Sequence, residues 1–120
     1  METILELANE KKATDPAILD LRKVSTFCDF FIIFTGSSPT HIRALAEGIK
    51  EGLHKASVYL HHIEGVGDCR WVILDYSNVI VHIFDSETRS FYDLERLWAD
   101  GARMRMPGAV KRAKSNKKHR

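Results

Sequence analysis

The chain has 120 residues, of which 44% are hydrophobic, 28% charged and 9% aromatic, with a formal net charge of +2. This balance excludes a disordered or fibrous chain, and the longest apolar run, Phe30 to Phe34, is far short of the roughly 18 to 20 residues that a membrane-crossing helix needs. A chain of this size buries about two-thirds of its unfolded surface, enough for one core, so its chemistry belongs to one small scaffold or to an interface.

Residues 2–12 read as a short helix with Ile4, Leu5 and Ala8 on one side, and Asp15-Pro16 is expected to end it. Residues 17–22 follow as a strand, then a polar turn at 23–26, then the strand 30–35, which is apolar on both faces and so belongs in the middle of a sheet. Ser38 as N-cap and Pro39 at the first helical position open a helix over 39–55. Its apolar stripe is Ile42, Leu45, Ala46, Ile49 and Leu53, and Arg43 with Glu47 and Glu51 with Lys55 are expected as exposed pairs. Residues 58–63 read as a strand and 64–68 as a loop, and 70–75 with 79–84 form a hairpin around Tyr76-Ser77-Asn78. Ser90, with Asp93 at the third helical position, is a capping signal for a last helix that places Phe91, Leu94 and Trp98 on one face. The order predicts an α/β domain with a mixed sheet of about five strands packed with helices.

Charge divides the chain. Residues 103–120 carry eight Lys or Arg and no acid, whereas residues 1–102 hold ten basic and sixteen acidic residues, a net charge of −6. The reading is a globular domain over 1–102 and a disordered basic arm over 103–120. In that arm Lys111, Arg112, Lys114, Lys117 and Lys118 either solubilise the chain or contact RNA phosphates. The acidic start, Met1 to Glu6, resembles neither a signal nor a transit peptide, so a cytoplasmic location is expected. Cys28 and Cys69, with no CxxC spacing, read as two reduced, packed thiols.

Catalytic constellations are hard to assemble from these residues. His61 and His62 are strand neighbours that point to opposite faces, His82 lies in an apolar strand, and no HxxxH, CxxC or carboxylate cluster offers a metal site. Neither cysteine has a nearby histidine, and there is no GxSxG elbow. Gly36-Ser37, between a buried strand and a helix, is the arrangement in which a nucleotidyltransferase cradles phosphate. Such an enzyme also needs carboxylates on a following strand to hold magnesium, and residues 58–63 contain none, so the pair reads as a turn and cap. No catalytic residue, cofactor or metal is expected. What stands out is a set of aromatic and acidic residues near the end of the body: Trp71, Asp75, Tyr92, Asp93, Glu95 and Trp98. Each tryptophan alone would pass for core. Together, beside acids on a negatively charged body, they suit an aromatic docking face that selects a basic partner.

Six blocks in order carry a family resemblance: Asp29-Phe30-Phe31-Ile32-Ile33-Phe34-Thr35-Gly36, Arg43-Ala44-Leu45-Ala46, Glu64-Gly65, Trp71-Val72-Ile73-Leu74-Asp75-Tyr76, Val79-Ile80-Val81-His82-Ile83-Phe84 and Phe91-Tyr92-Asp93-Leu94-Glu95-Arg96-Leu97-Trp98. Over about residues 2–98 the chain closely resembles the ribosomal silencing factor (RsfS) or Iojap family. The resemblance implies a nucleotidyltransferase-like α/β fold that is catalytically degenerate. It also implies binding to the large ribosomal subunit at ribosomal protein L-fourteen, blocking of small-subunit joining when nutrients are scarce, and homodimers among family members. Two other readings remain at this point: a small nucleotide-binding or nucleotidyl-transfer enzyme using Gly36-Ser37, and a nonspecific RNA binder driven by the arm.

Overall fold

The computed structural model describes residues 1–98 and the backbone of 102–103; the basic arm beyond lies outside the described residues. In chain order the elements are α1 (Glu2–Glu10), β1 (Thr14–Asp20), β2 (Phe30–Thr35), α2 (Pro39–Lys55), β3 (His62–Glu64), β4 (Trp71–Asp75), β5 (Val79–Phe84), α3 (Ser86–Tyr92), α4 (Leu94–Leu97) and β6 (Ala102–Arg103). The strands form one mixed sheet in the order β3-β4-β5-β2-β1-β6, with β2 and β5 parallel and the other neighbours antiparallel. The expected mixed α/β sheet is present, extended at one edge by the two-residue β6.

Period-two alternation along the strands separates two cores. From β2, Ile32 and Phe34 face one way and Phe31 and Ile33 the other; from β5, Val81 and Ile83 oppose Ile80 and Phe84. The first face packs under α1 and α2, through Ile4, Ala8, Ile42, Leu45, Ala46, Ile49 and Leu53. The second gathers Ala17, Leu19, Leu21, Phe31, Ile33 and Phe84, with Leu94 of α4 laid on them. A strand buried on both sides needs no polar alternation, which is why β2 matches its expected bounds.

Helix α2 also has the expected limits, with Ser38 Oγ accepting from the His41 amide and Pro39 opening the helix. Its buried stripe holds it: each such side chain contributes about 2 kcal/mol, against a few tenths for an exposed pair. The ion pair formed on its exposed side is Lys50 with Glu47 at 3.7 Å, in place of the expected Arg43–Glu47 and Glu51–Lys55 pairs.

Several boundaries differ from expectation, each for a local reason. Helix α1 stops at Glu10, and the chain reverses through Lys12 at φ 66°. Asp15-Pro16 therefore does not end the helix; it lies inside β1, where a register shift between Thr14 and Ala17 absorbs the proline that cannot join the ladder. β1 ends at Asp20, two residues before the expected limit. The strand expected over 58–63 is only His62–Glu64, because Val58 and Tyr59 are exposed and have no buried face to pair against. The C-terminal helix is split. Asp85, not Ser90, caps α3 by accepting from the Thr88 amide at 2.7 Å. Asp93 ends that helix in the left-handed conformation at φ 47°, so it is a junction and not a third helical residue. Phe91, Leu94 and Trp98 consequently share no face: Leu94 is buried, while Phe91 points into solvent.

Candidate docking surface

On the second sheet face, seven rings touch in series. Phe91 meets Tyr92 (centroids 4.9 Å), Tyr92 meets Trp71 (4.7 Å), Trp71 reaches His82 (6.0 Å), His82 packs on Phe31 (4.4 Å), Phe31 on Trp98 (5.8 Å) and Trp98 on Phe27 (6.2 Å). Alternation on β4, β5 and β2 aims Trp71, His82 and Phe31 to the same side, and α3 and α4 add the ends. The middle of the ribbon is buried and its ends are open: Phe91 is 79% exposed, Tyr92 49% and Phe27 60%.

Trp71 is half core and half surface. Its ring stacks on Phe84 at 4.8 Å, and its indole N–H donates to His82 Nδ1 at 3.0 Å. An indole nitrogen only donates, so Nδ1 must accept, and the neutral imidazole carries its proton on Nε2. That Nε2 is buried with no hydrogen-bond partner. Burial lowers the His82 pKa from 6.5 to about 3. The unfolded chain takes up this proton near 6.5 while the folded state refuses it until about 3, so His82 lets stability be full above 6.5 and fall as pH drops through that window. The expected loss is about 2 kcal/mol at pH 5. Urea unfolding of the parent and His82→Gln between pH 7 and 4.5 measures it; an equal slope in both proteins would remove His82 as the cause.

The six residues singled out from the sequence fall into separate groups. Trp71 and Tyr92 adjoin an open cleft of about 400 Å³, which Asp68, Arg70, Glu87, Thr88 and Phe91 also line. Asp75 stands at the other end of β4, some 13 Å away by strand geometry. It accepts from the Ser77 amide at 2.8 Å and borders a second cleft, of about 500 Å³, with Phe27 and Asp29. Trp98 is part-buried against Phe31 and Phe27, and Asp93 is the junction of α3 and α4. Glu95 lies inside rather than at a rim: its side chain is 12% exposed and its carboxylate is paired with Arg89 at 2.7 Å. No sequence pattern marks Asp68, Glu87, Phe27 or the exposed side of Phe91. Phe91 follows the amphipathic rule only if the last helix is continuous, and Phe27 sits in a turn with no periodicity to mark it.

The Gly36-Ser37 turn is committed to the fold. The Gly36 amide donates to Phe84 O at 2.8 Å and the Ser37 amide to His41 Nδ1 at 2.9 Å, while His41 Nε2 donates to Lys11 O at 2.7 Å. A Cβ on Gly36 would lie 2.6 Å from the Ile42 side chain, so the glycine serves close packing of strand and helix. With β3 displaced to 62–64 the following strand does end in an acid, Glu64, and its carboxylate is held by His62 at 2.8 Å. Among the described residues no three His, Cys, Asp or Glu are grouped to hold a metal ion. Cys28 and Cys69 are both free and buried, and desolvation pushes the Cys28 thiol upward, away from thiolate reactivity.

The features this fold sets apart are therefore contact features: aromatic ends that stay exposed and clefts edged with acids, as in a domain that docks on another macromolecule. The sequence profile of the family described as "ribosomal silencing factor during starvation" matches residues 1–120, and the chain belongs to that family, a group of ribosome-associated regulators of translation. The ribosomal silencing factor RsfS of Bacillus subtilis is 35% identical over 103 residues, covering 82% of this chain and 87% of that one. A mouse protein named "mitochondrial assembly of ribosomal large subunit protein 1" is 26% identical over 102 residues, covering 82% of this chain and 44% of that one. A crystal structure of a Chromobacterium violaceum protein superimposes with a TM-score of 0.80 at 29% identity, covering 88% of this chain and 85% of that one.

Proposed function

We propose that the chain docks on the large ribosomal subunit through ribosomal protein L-fourteen and, by its bulk, keeps the small subunit from joining, repressing translation in the cytoplasm when nutrients are limiting. The observation that carries this reading is the aromatic ribbon whose open end, Phe91 and Tyr92, borders a cleft in which Asp68 and Glu87 outnumber the one cation, Arg70. Exposed aromatics provide contact area at low entropic cost, and flanking carboxylates select a basic partner such as a ribosomal protein. Family membership and the name of the mouse relative support a large-subunit target. Steric exclusion needs affinity and bulk in the right place and no reactive group, in keeping with a turn at Gly36-Ser37 whose amides are already bonded.

In this reading Trp71, Tyr92 and Trp98 underpin the contact face, with Asp75 and Asp93 among its acids. Lys111, Arg112, Lys114, Lys117 and Lys118 of the arm meet ribosomal RNA phosphates that would otherwise repel a body of net charge −6. Sedimentation with separated subunits tests the proposal. The protein is expected to travel with large subunits and to reduce joined ribosomes at fixed magnesium. Removal of the arm over 104–120, sparing Arg103 because in β6 it pairs with Leu19, is expected to flatten the salt dependence of that binding without redirecting it. Exclusive binding to small subunits, or unimpaired joining at saturating protein, would overturn the assignment.

A further inference from the structure

Arg89 makes contacts that no nearest-neighbour rule on a helix would supply. It projects from α3 and is 9% exposed. Its Nη2 donates to Glu95 Oε2 at 2.7 Å and its Nε to Glu95 Oε1 at 3.4 Å, a two-pronged pair with α4. Its Nη1 donates to Thr35 Oγ1 at 2.8 Å on β2 and to the Asp15 carbonyl on β1. One guanidinium thus ties four elements together. Two local irregularities bring its partners into reach. Asp15 adopts φ 51° within the β1 bulge beside Pro16, and Asp93 adopts φ 47° between α3 and α4. Residues six apart on an unbroken helix stand on different sides, so Arg89 and Glu95 meet only because Asp93 turns the chain.

Such a buried pair adds little net stability, since desolvating two charges offsets most of their attraction, and an apolar pair of similar volume would hold the layers about as well. What the apolar pair would lack is direction: the planar fork satisfies its acceptors in one arrangement of α3 against α4. We propose that Arg89 is a positioning residue, whose clasp on Glu95, Thr35 and Asp15 sets the pose of α3 and α4 and so presents Phe91, Tyr92 and Leu97 to the partner. Tyr92 lies immediately before the Asp93 turn and Leu97, 71% exposed, ends α4, so a change of angle there moves both side chains. This inference rests on the docking function proposed above.

The double variant Arg89→Met with Glu95→Leu leaves neither charge uncompensated and keeps the volume, so the fold survives while the direction is lost. Three measurements are made on the full chain: urea unfolding, amide hydrogen exchange by segment, and affinity for isolated large subunits. The double variant loses the donors to Thr35 Oγ1 and the Asp15 carbonyl, so its urea midpoint is expected to fall modestly, while the protection of β2 and β5 is kept. Protection over residues 86–97 should fall tenfold or more, and affinity for large subunits should fall tenfold or more with it. Arg89→Lys, which keeps a cation beside Glu95, is expected to recover part of that affinity. Affinity within twofold of the parent despite loosened 86–97 would overturn the positioning role, as would loss of protection spread over β2 and β5. Failure of the parent to bind subunits would overturn the docking function instead. In that event unchanged exchange over 86–97 overturns the clasp, and a loss confined to that segment upholds it as what fixes the pose.

Discussion

Glu95→Lys is expected to destabilise the domain by about 3 to 5 kcal/mol, a large share of the roughly 5 to 15 kcal/mol that holds a domain of this kind together. In the parent the Glu95 carboxylate is enclosed with Arg89, the two side chains 12% and 11% exposed. A lysine at this position sets an ammonium against a guanidinium that remains fastened to Thr35 and the Asp15 carbonyl, so neither cation can reach water without pulling α4 from the sheet. An exposed acid on the neighbouring helix provides the control: Glu87→Lys should shift stability by less than about 0.5 kcal/mol. Urea unfolding of both variants at neutral pH decides the matter, and equal midpoints would mean that the Arg89–Glu95 pair is not buried in solution. The double apolar variant avoids this cost because it leaves no unpaired charge.

Trp71→Ala is expected to cost about 3 kcal/mol of folding stability, apart from any effect on binding. Two losses add. The ring that stacks on Phe84 at 4.8 Å and meets Tyr92 at 4.7 Å disappears, leaving a void against the sheet. The donor to His82 Nδ1 goes as well, and because Nε2 already lacks a partner, the buried imidazole then has none at either nitrogen. Trp71→Phe separates the two losses by keeping most of the packing and removing only the N–H; about 1 to 2 kcal/mol is expected there. A Trp71→Phe protein as stable as the parent would show that the hydrogen bond carries no weight, and a Trp71→Ala cost below about 1 kcal/mol would place the ring on the surface rather than in the second core.

The sequence revealed most where one physical signal dominated. The apolar run Phe30 to Phe34 and the Ser38-Pro39 cap fix β2 and α2 to the residue. It misled where two signals competed. Val58, Tyr59 and Leu60 look like a strand by composition, yet strand formation needs a buried face, and there Val58 and Tyr59 are exposed. Asp85 and Ser90 are both plausible caps within one stretch, and a helix capped at Ser90 has no place for the break at Asp93. The candidate surface was legible in its aromatics and illegible in its acids. Trp71 and Tyr92 are recognisable by residue type, whereas whether Glu95 faces water or an arginine depends on a turn that no local pattern announces. Phe27, outside any periodic segment, gave no sign at all.

The parallel pairing at the centre of the sheet has a consequence for the order of folding. β1 with β2 and β4 with β5 are pairs of nearby segments, which can close quickly. The register from Phe30 with Val79 to Thr35 with Phe84 instead joins residues about 50 apart, a loop whose closure costs on the order of 3 kcal/mol before any contact repays it. During synthesis the first half of the chain therefore emerges with β2 apolar on both faces and one edge unpaired, the kind of strand that recruits neighbours. Only when Phe84 has cleared the exit can that edge be covered, so the nascent protein has a window of aggregation risk set by the rate at which residues 36–84 are made.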